Sequence, residues 1–206
     1  MWIAKESKIR RQEFIDTAIE IFKVKGYEKS SINDILKQMQ VTKGSFYHNF
    51  KSKEDLLNAV VDYLLSDIEN ILIELEAKQD NALNKLYQLY SLMTQYRSSN
   101  KELYSQLYLN KQTENAFLIK KLQQQTLRLA MPYIQRIIKQ GVNEQIFNTS
   151  NVKETAEIYI RLAILCKEKL VQIVEKKHEQ SIMQKEITEI LEFYQQTLKR
   201  ILGVQL

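Results

Sequence analysis

The stretch VTKGSFYHNFKSKEDLL, residues 41–57, gathers the side chains with the most chemistry to offer. Thr42, Lys43, Tyr47, His48 and Lys53 place hydroxyls, cations and an imidazole around one glycine, Gly44. Such groups donate hydrogen bonds to phosphate oxygens and to base edges. They do not compose a catalytic set. His48 and His178 are far apart and give no metal-ligand spacing. Cys166 stands alone in an apolar run, where a thiol is buried and inert. No Gly-rich phosphate loop and no HExxH occurs. The chain therefore reads as a non-enzyme without a cofactor or metal.

Helices must position these groups. The 206 residues include only four glycines and one proline, and Leu, Ile, Lys, Glu and Gln abound, so the expected class is all-α. Residues 8–25 show helical period through Phe14, Ala18 and Phe22, and Gly26 follows as the C-terminal stop. Ser31 with Asp34 forms a capping box for a short helix carrying Ile32, Ile35, Leu36 and Met39. Thr42 caps a second short helix, with Val41 and Phe46 at staple spacing and Phe46 and Phe50 turned to one face. Ser52 and Asp55 open a longer helix.

Two closely joined short helices braced by a longer one make a helix-turn-helix, whose second helix enters the DNA major groove. Gly44 weakens that helix, but a missing side chain lets another backbone come close, and free first-turn N–H groups can bind phosphate. Lys53 lies where the helix dipole disfavours a cation unless an anion is bound. Lys5, Lys8, Arg10 and Arg11 leave two readings open, a solvated basic tail or a phosphate-binding arm. Net charge is +5, and residues 1–60 hold eleven Lys/Arg against eight Asp/Glu. That mild excess suits an anionic partner.

Across residues 14–60 the pattern Ala18, Phe22, Gly26-Tyr27, Ile32, Ile35, Val41, Lys43-Gly44, Tyr47, Phe50, Lys53, Leu56 and Leu57 resembles the TetR/AcrR family of bacterial transcriptional regulators. Gln40 departs from the family's usual glycine at the turn, and Asn49 from its common histidine. The resemblance implies that Thr42, Lys43, Gly44, Ser45, Tyr47 and His48 face DNA, and that Ser31 and Lys53 contact phosphates. It implies a helix-turn-helix DNA-binding domain over 1–51 and a larger helical effector-binding and dimerisation domain over 52–206. It implies a homodimer on a palindromic operator, acting as a ligand-responsive repressor.

The later helices follow from period. One is expected from Ser52 to about Ala77, one over NALNKLYQLYSLMTQYR and one near ELYSQLYL. A long segment from Glu114 to Gln140 is expected to kink or restart near Pro132, and Gly141 with the polar stretch NEQIFNTSN to close that region. Helices over 153–174 and 181–202 follow. Their apolar surface exceeds what one bundle needs, and Leu162, Leu165, Ile187, Leu191, Tyr194 and Leu198 are the candidate dimer interface. Tyr63, Tyr87, Tyr90, Met93, Tyr104, Tyr108, Phe117 and Tyr133 supply aromatic, amphipathic surface for a small apolar or amphipathic effector, although any of them could be core. Without a signal peptide, an 18-residue apolar run or paired cysteines, the expectation is a cytoplasmic protein with no membrane contact. The competing readings are a dimeric helical interaction protein that does not bind DNA, and an activator or constitutive repressor that has no effector.

Overall fold

The computed structural model describes residues 2–100, 106, 114–175 and 179–204, and these are helical throughout apart from turns. The expected helix near ELYSQLYL lies outside the described residues except for Gln106. In chain order the helices are α1 (Trp2–Lys25), α2 (Ile32–Met39), α3 (Lys43–Asn49), α4 (Lys53–Ala77), α5 (Ala82–Ser99), α6 (Ala116–Asn143), α7 (Val152–Glu175) and α8 (Gln180–Leu202). No helix of the described residues is long and apolar enough to cross a membrane.

The chain divides into two compact units: residues 1–67 with 100–122, and residues 68–99 with 123–206. In the first unit α1 packs on α2 and α3. Phe14, Phe22, Ile35, Phe46, Phe50, Leu56 and Leu57 are fully buried. Phe14 meets Phe46 and Phe50 edge-on, with ring centroids 5.7 and 5.9 Å apart. Such pairs add about 0.5–1.5 kcal/mol each beyond the apolar area they bury. The Arg11 guanidinium lies over the Phe50 ring at 4.6 Å, so this cation covers the core. α1 starts at Trp2, six residues before the expected start. The segment holding Ala4, Lys5 and Glu6 favours helix and contains no breaker.

In the second unit α7 and α8 pack together. A polar knot joins the end of α4, the turn at 78–81, the start of α5 and the end of α6. Arg136 grips the Glu76 carboxylate with two nitrogens. The buried Lys85 ammonium donates to the Glu76 carbonyl at 2.9 Å. Gln140 donates to the Asp80 carbonyl at 2.8 Å, and Glu144 accepts the Ala82 N–H at 2.8 Å. A buried ammonium persists only with such partners.

α6 does not restart at Pro132, and it ends at Asn143, the first residue of the polar stretch. It runs unbroken through Pro132. Pro132 is exposed, and the carbonyl one turn earlier loses its donor. Gly141 lies inside the helix and does not end it. A Cβ there would collide with the Phe147 ring, lying 2.8 Å from its Cγ. The buried Phe147 ring takes the space that a side chain at position 141 would fill.

Candidate nucleic-acid interface

The caps expected from sequence set the two short helices. The Ser31 Oγ accepts the Asp34 N–H at 3.2 Å, and the Asp34 carboxylate accepts the Ser31 N–H at 2.7 Å. Lys25 donates to the same carboxylate at 2.8 Å. The Lys25 bond first, and then Ser31, hold the Asp34 carboxyl down at about 2. α2 stops at Gln40, which is left-handed at φ 55 and ψ 43. This is the position where a glycine would be at ease, and here a glutamine bears the left-handed geometry. The Val41 N–H closes the stop by donating to the Leu36 carbonyl at 3.1 Å.

Thr42 then caps α3, its Oγ1 accepting the Ser45 N–H at 3.4 Å. Phe46 and Phe50 point inward and anchor the helix. Thr42, Lys43, Gly44, Tyr47 and His48 are exposed and Ser45 is half-buried. The Tyr47 ring, 57% exposed, stands edge-on to Phe46 at 5.3 Å. Asn49 spends its amide on the Ser45 carbonyl at 2.9 Å, one turn back in its own helix. A Cβ on Gly44 would meet only the Thr42 Oγ1, at an ordinary 3.7 Å. Nothing inside the domain requires a glycine there.

Ser31 and Lys53 stand differently from that row. The Ser31 hydroxyl also donates to Asp34 at 2.7 Å. The Lys53 ammonium folds back to donate to the Tyr27 carbonyl and lies 4.0 Å over the Tyr27 ring. Burial lowers its pKa. An ammonium carries three donors, so Lys53 keeps hydrogen-bonding capacity beyond that carbonyl.

The aromatic candidates do not form one cluster by unit. Tyr63 and Phe117 belong to the first unit, Tyr87, Tyr90, Met93 and Tyr133 to the second. Tyr104 and Tyr108 lie outside the described residues. Phe117 stacks on Tyr27 at 5.7 Å, and the Arg136 guanidinium covers Tyr133 at 4.9 Å. Tyr159 on α7 was not among the candidates. It is 7% exposed, and burial raises its pKa. Its only sequence signal was its place in the apolar run from Ala156 to Cys166.

On α7 and α8, Leu165 is exposed and Leu162, Ile187, Leu191 and Leu198 are half-buried. Tyr194 is buried within the chain, while its neighbour Phe193 is 63% exposed. Ile158 and Ile182 are exposed as well. Among the described residues no group of three or more His, Cys, Asp or Glu could hold a metal ion.

Residues 14–60 match the bacterial regulatory proteins of the tetR family. The chain is 31% identical over 78 residues to IcaR of Staphylococcus aureus, a negative transcriptional regulator of the biofilm operon icaADBC. That match covers 38% of this chain and 42% of IcaR, so it spans less than half of the relative. The regulator YuxN of Bacillus subtilis is 32% identical over 74 residues, covering 36% of this chain and 25% of YuxN. Solved structures share the fold along nearly the whole chain. A TetR-family regulator from Pectobacterium atrosepticum superposes with a TM-score of 0.67 at 15% identity, covering 96% of both chains. Reduced NemR of E. coli gives a TM-score of 0.62 at 16% identity, covering 88% of this chain and 94% of NemR. The family is one of DNA-binding regulators and not of enzymes. Residues 14–60 are thus a domain of the tetR family of bacterial regulatory proteins, and the all-helical fold of the chain is the one that TetR-family regulators share.

Proposed function

We propose that the protein is a homodimeric repressor that reads a palindromic operator with α3 and leaves it when a small apolar or amphipathic molecule binds. The observation carrying this reading is the exposed row Thr42, Lys43, Gly44, Tyr47 and His48, centred on a glycine that the fold does not need. Lys43 is chemically suited to guanine O6 and N7, and Thr42 or Ser45 to a base edge or thymine methyl. Tyr47, Ser31 and the spare donors of Lys53 would hold phosphates, which fix register without reading sequence. The negative regulation named for IcaR supports repression over activation.

The division of labour places DNA binding in residues 1–51 and effector binding with dimerisation in 52–206. Leu162, Leu165, Ile187, Leu191 and Leu198, with Ile158, Ile182 and Phe193, leave apolar surface on α7 and α8 for a second copy. Tyr194 contributes from below as packing. Effector binding would shift the population between two separations of the DNA-binding heads. Tyr159 adds a buried phenol in the second unit, alongside Tyr87, Tyr90, Met93 and Tyr133.

The test is selection of duplexes from a random pool by the intact protein, followed by affinity against salt. We expect a palindromic consensus and a log–log slope near −0.9 for each phosphate neutralised. Recovery of no consensus, or a salt-independent affinity, overturns the reading and favours a helical interaction protein.

A further inference from the structure

The C-terminal end of α1 and the N-terminal end of α6 satisfy one another's backbone. Every α-helix leaves four N–H groups unpaired at its start and four carbonyls at its end. Asn115, immediately before α6, is 0% exposed. Its Oδ1 accepts the Tyr27 N–H at 2.8 Å, and its Nδ2 donates to the Phe22 carbonyl at 3.4 Å. The Glu114 carbonyl accepts the Glu28 N–H at 2.9 Å. In return the Glu28 carboxylate accepts the Phe117 N–H at 2.8 Å, within the first turn of α6, where the helix dipole favours an anion. Lys29 pairs with Glu114 at 3.0 Å and Lys121 with Glu54 at 2.7 Å.

The joint has no slack. Gly26 has φ 84, and a Cβ there would fall on the Glu114 Cβ and 2.9 Å from its carbonyl oxygen. The turn that Asn115 holds leads directly to Ser31, the cap of α2, and α2 leads through Gln40 to α3. A buried amide with both ends engaged is directional, because each bond is lost if either helix rotates. An apolar side chain would fill the same space without fixing an angle.

We propose that Asn115 is a positioning residue for operator recognition, tying the turn after α1 to the first turn of α6 and thereby selecting the half-site spacing that the dimer accepts. The proposal rests on the reading of the protein as a DNA-binding dimer. α6 continues as one helix from Ala116 to Asn143, so the tie at Asn115 is made to the start of a helix that runs on past the first unit. For a dimeric reader, half-site spacing is set by geometry. A head held at one angle accepts one spacing, and a loosened head accepts several at lower affinity, because orientation must then be fixed on binding.

The probe is the duplex selected by the wild-type protein from a random pool, with versions carrying one or two base pairs inserted or deleted at the dyad. Full-length wild type, Asn115→Ala, Asn115→Asp and Glu28→Ala are compared. Glu28 is exposed, so its replacement tests the joint even if Asn115→Ala does not fold. We expect wild type to favour its spacing about tenfold or more over the neighbouring ones, and Asn115→Ala and Glu28→Ala to compress that ratio to about threefold or less. Affinity for a duplex with one half-site should stay within about threefold. Asn115→Asp, which keeps the acceptor for Tyr27, should recover part of the ratio. If affinity falls equally at every spacing with the ratio kept, Asn115 only stabilises and the proposal fails. If wild type selects no duplex at all, the DNA-binding reading fails first and the proposal with it.

Discussion

Gly44 and Gly26 lie in the same small unit and look alike in the sequence, each beside a helix end and each with a lysine before it. Their surroundings are opposite. Gly26 is left-handed and the place of its missing Cβ is occupied by Glu114; a Cβ on Gly44 would make only an ordinary contact with Thr42. One glycine is required from inside the protein, and no contact inside it requires the other. The comparison separates a joint that must stay closed from a surface that must stay approachable.

The strongest way to break that contrast is Gly26→Ala. Left-handed strain of roughly 1–2 kcal/mol adds to overpacking of roughly 1–3 kcal/mol. Urea unfolding should show a loss of about 3 kcal/mol, with DNA binding lost alongside the fold. Gly44→Leu should do the reverse. Operator affinity is expected to fall about a hundredfold or more, a loss near 2.7 kcal/mol, with circular dichroism and dimer mass unchanged. Unaltered affinity in a folded Gly44→Leu protein removes the reason given for the glycine. Gln40→Gly sharpens the contrast from the third side. Relief of the left-handed residue should raise stability by about 0.5–1 kcal/mol, read from the urea midpoint, without changing which duplex is selected.

The smallest effect concerns the cap of α2. The folded Asp34 pKa lies below its ordinary 3.8, at about 2, through Lys25 and then Ser31. A depressed carboxyl stabilises the fold above its unfolded pKa and loses that contribution as pH falls through the folded one. The gap in urea midpoint between wild type and Asp34→Asn should thus be full above pH ~4 and close by pH ~2. Asp34 is near the surface, so salt should shrink it. A gap that persists at the lowest pH points to the neutral hydrogen bonds instead.

What the sequence could disclose was local. Ser31 with Asp34, Thr42 with Ser45, and Ser52 with Asp55 act over three residues, and each formed its bond. Phe14, Phe46 and Phe50 were readable as core because helical period places them on inward faces. The joint at Asn115 was not readable, since its partners are 88 and 93 residues away and no periodicity couples them. Tyr194 and Phe193 show a subtler limit. A helix stripe is about one residue wide at its edge, so the pattern named Tyr194 as surface-forming while the packing buries it and leaves Phe193 out. Pro132 does not restart the helix, and period alone could not show that α6 continues through it.

The mutual capping of α1 and α6 also bears on synthesis. A nascent chain that has released only the segment matched by the family lacks the groups that receive Tyr27 and Glu28. The joint can close only after residue 117 and its neighbours leave the ribosome. At about 5–20 residues per second that wait lasts several seconds, during which Gly26 and the turn after it stand open to solvent and to proteases. Protease cutting near residue 27 in chains stalled before Asn115, absent in chains stalled well after it, would mark the moment when the two helix ends meet. Equal protection in both would show that the head closes without its distant partner.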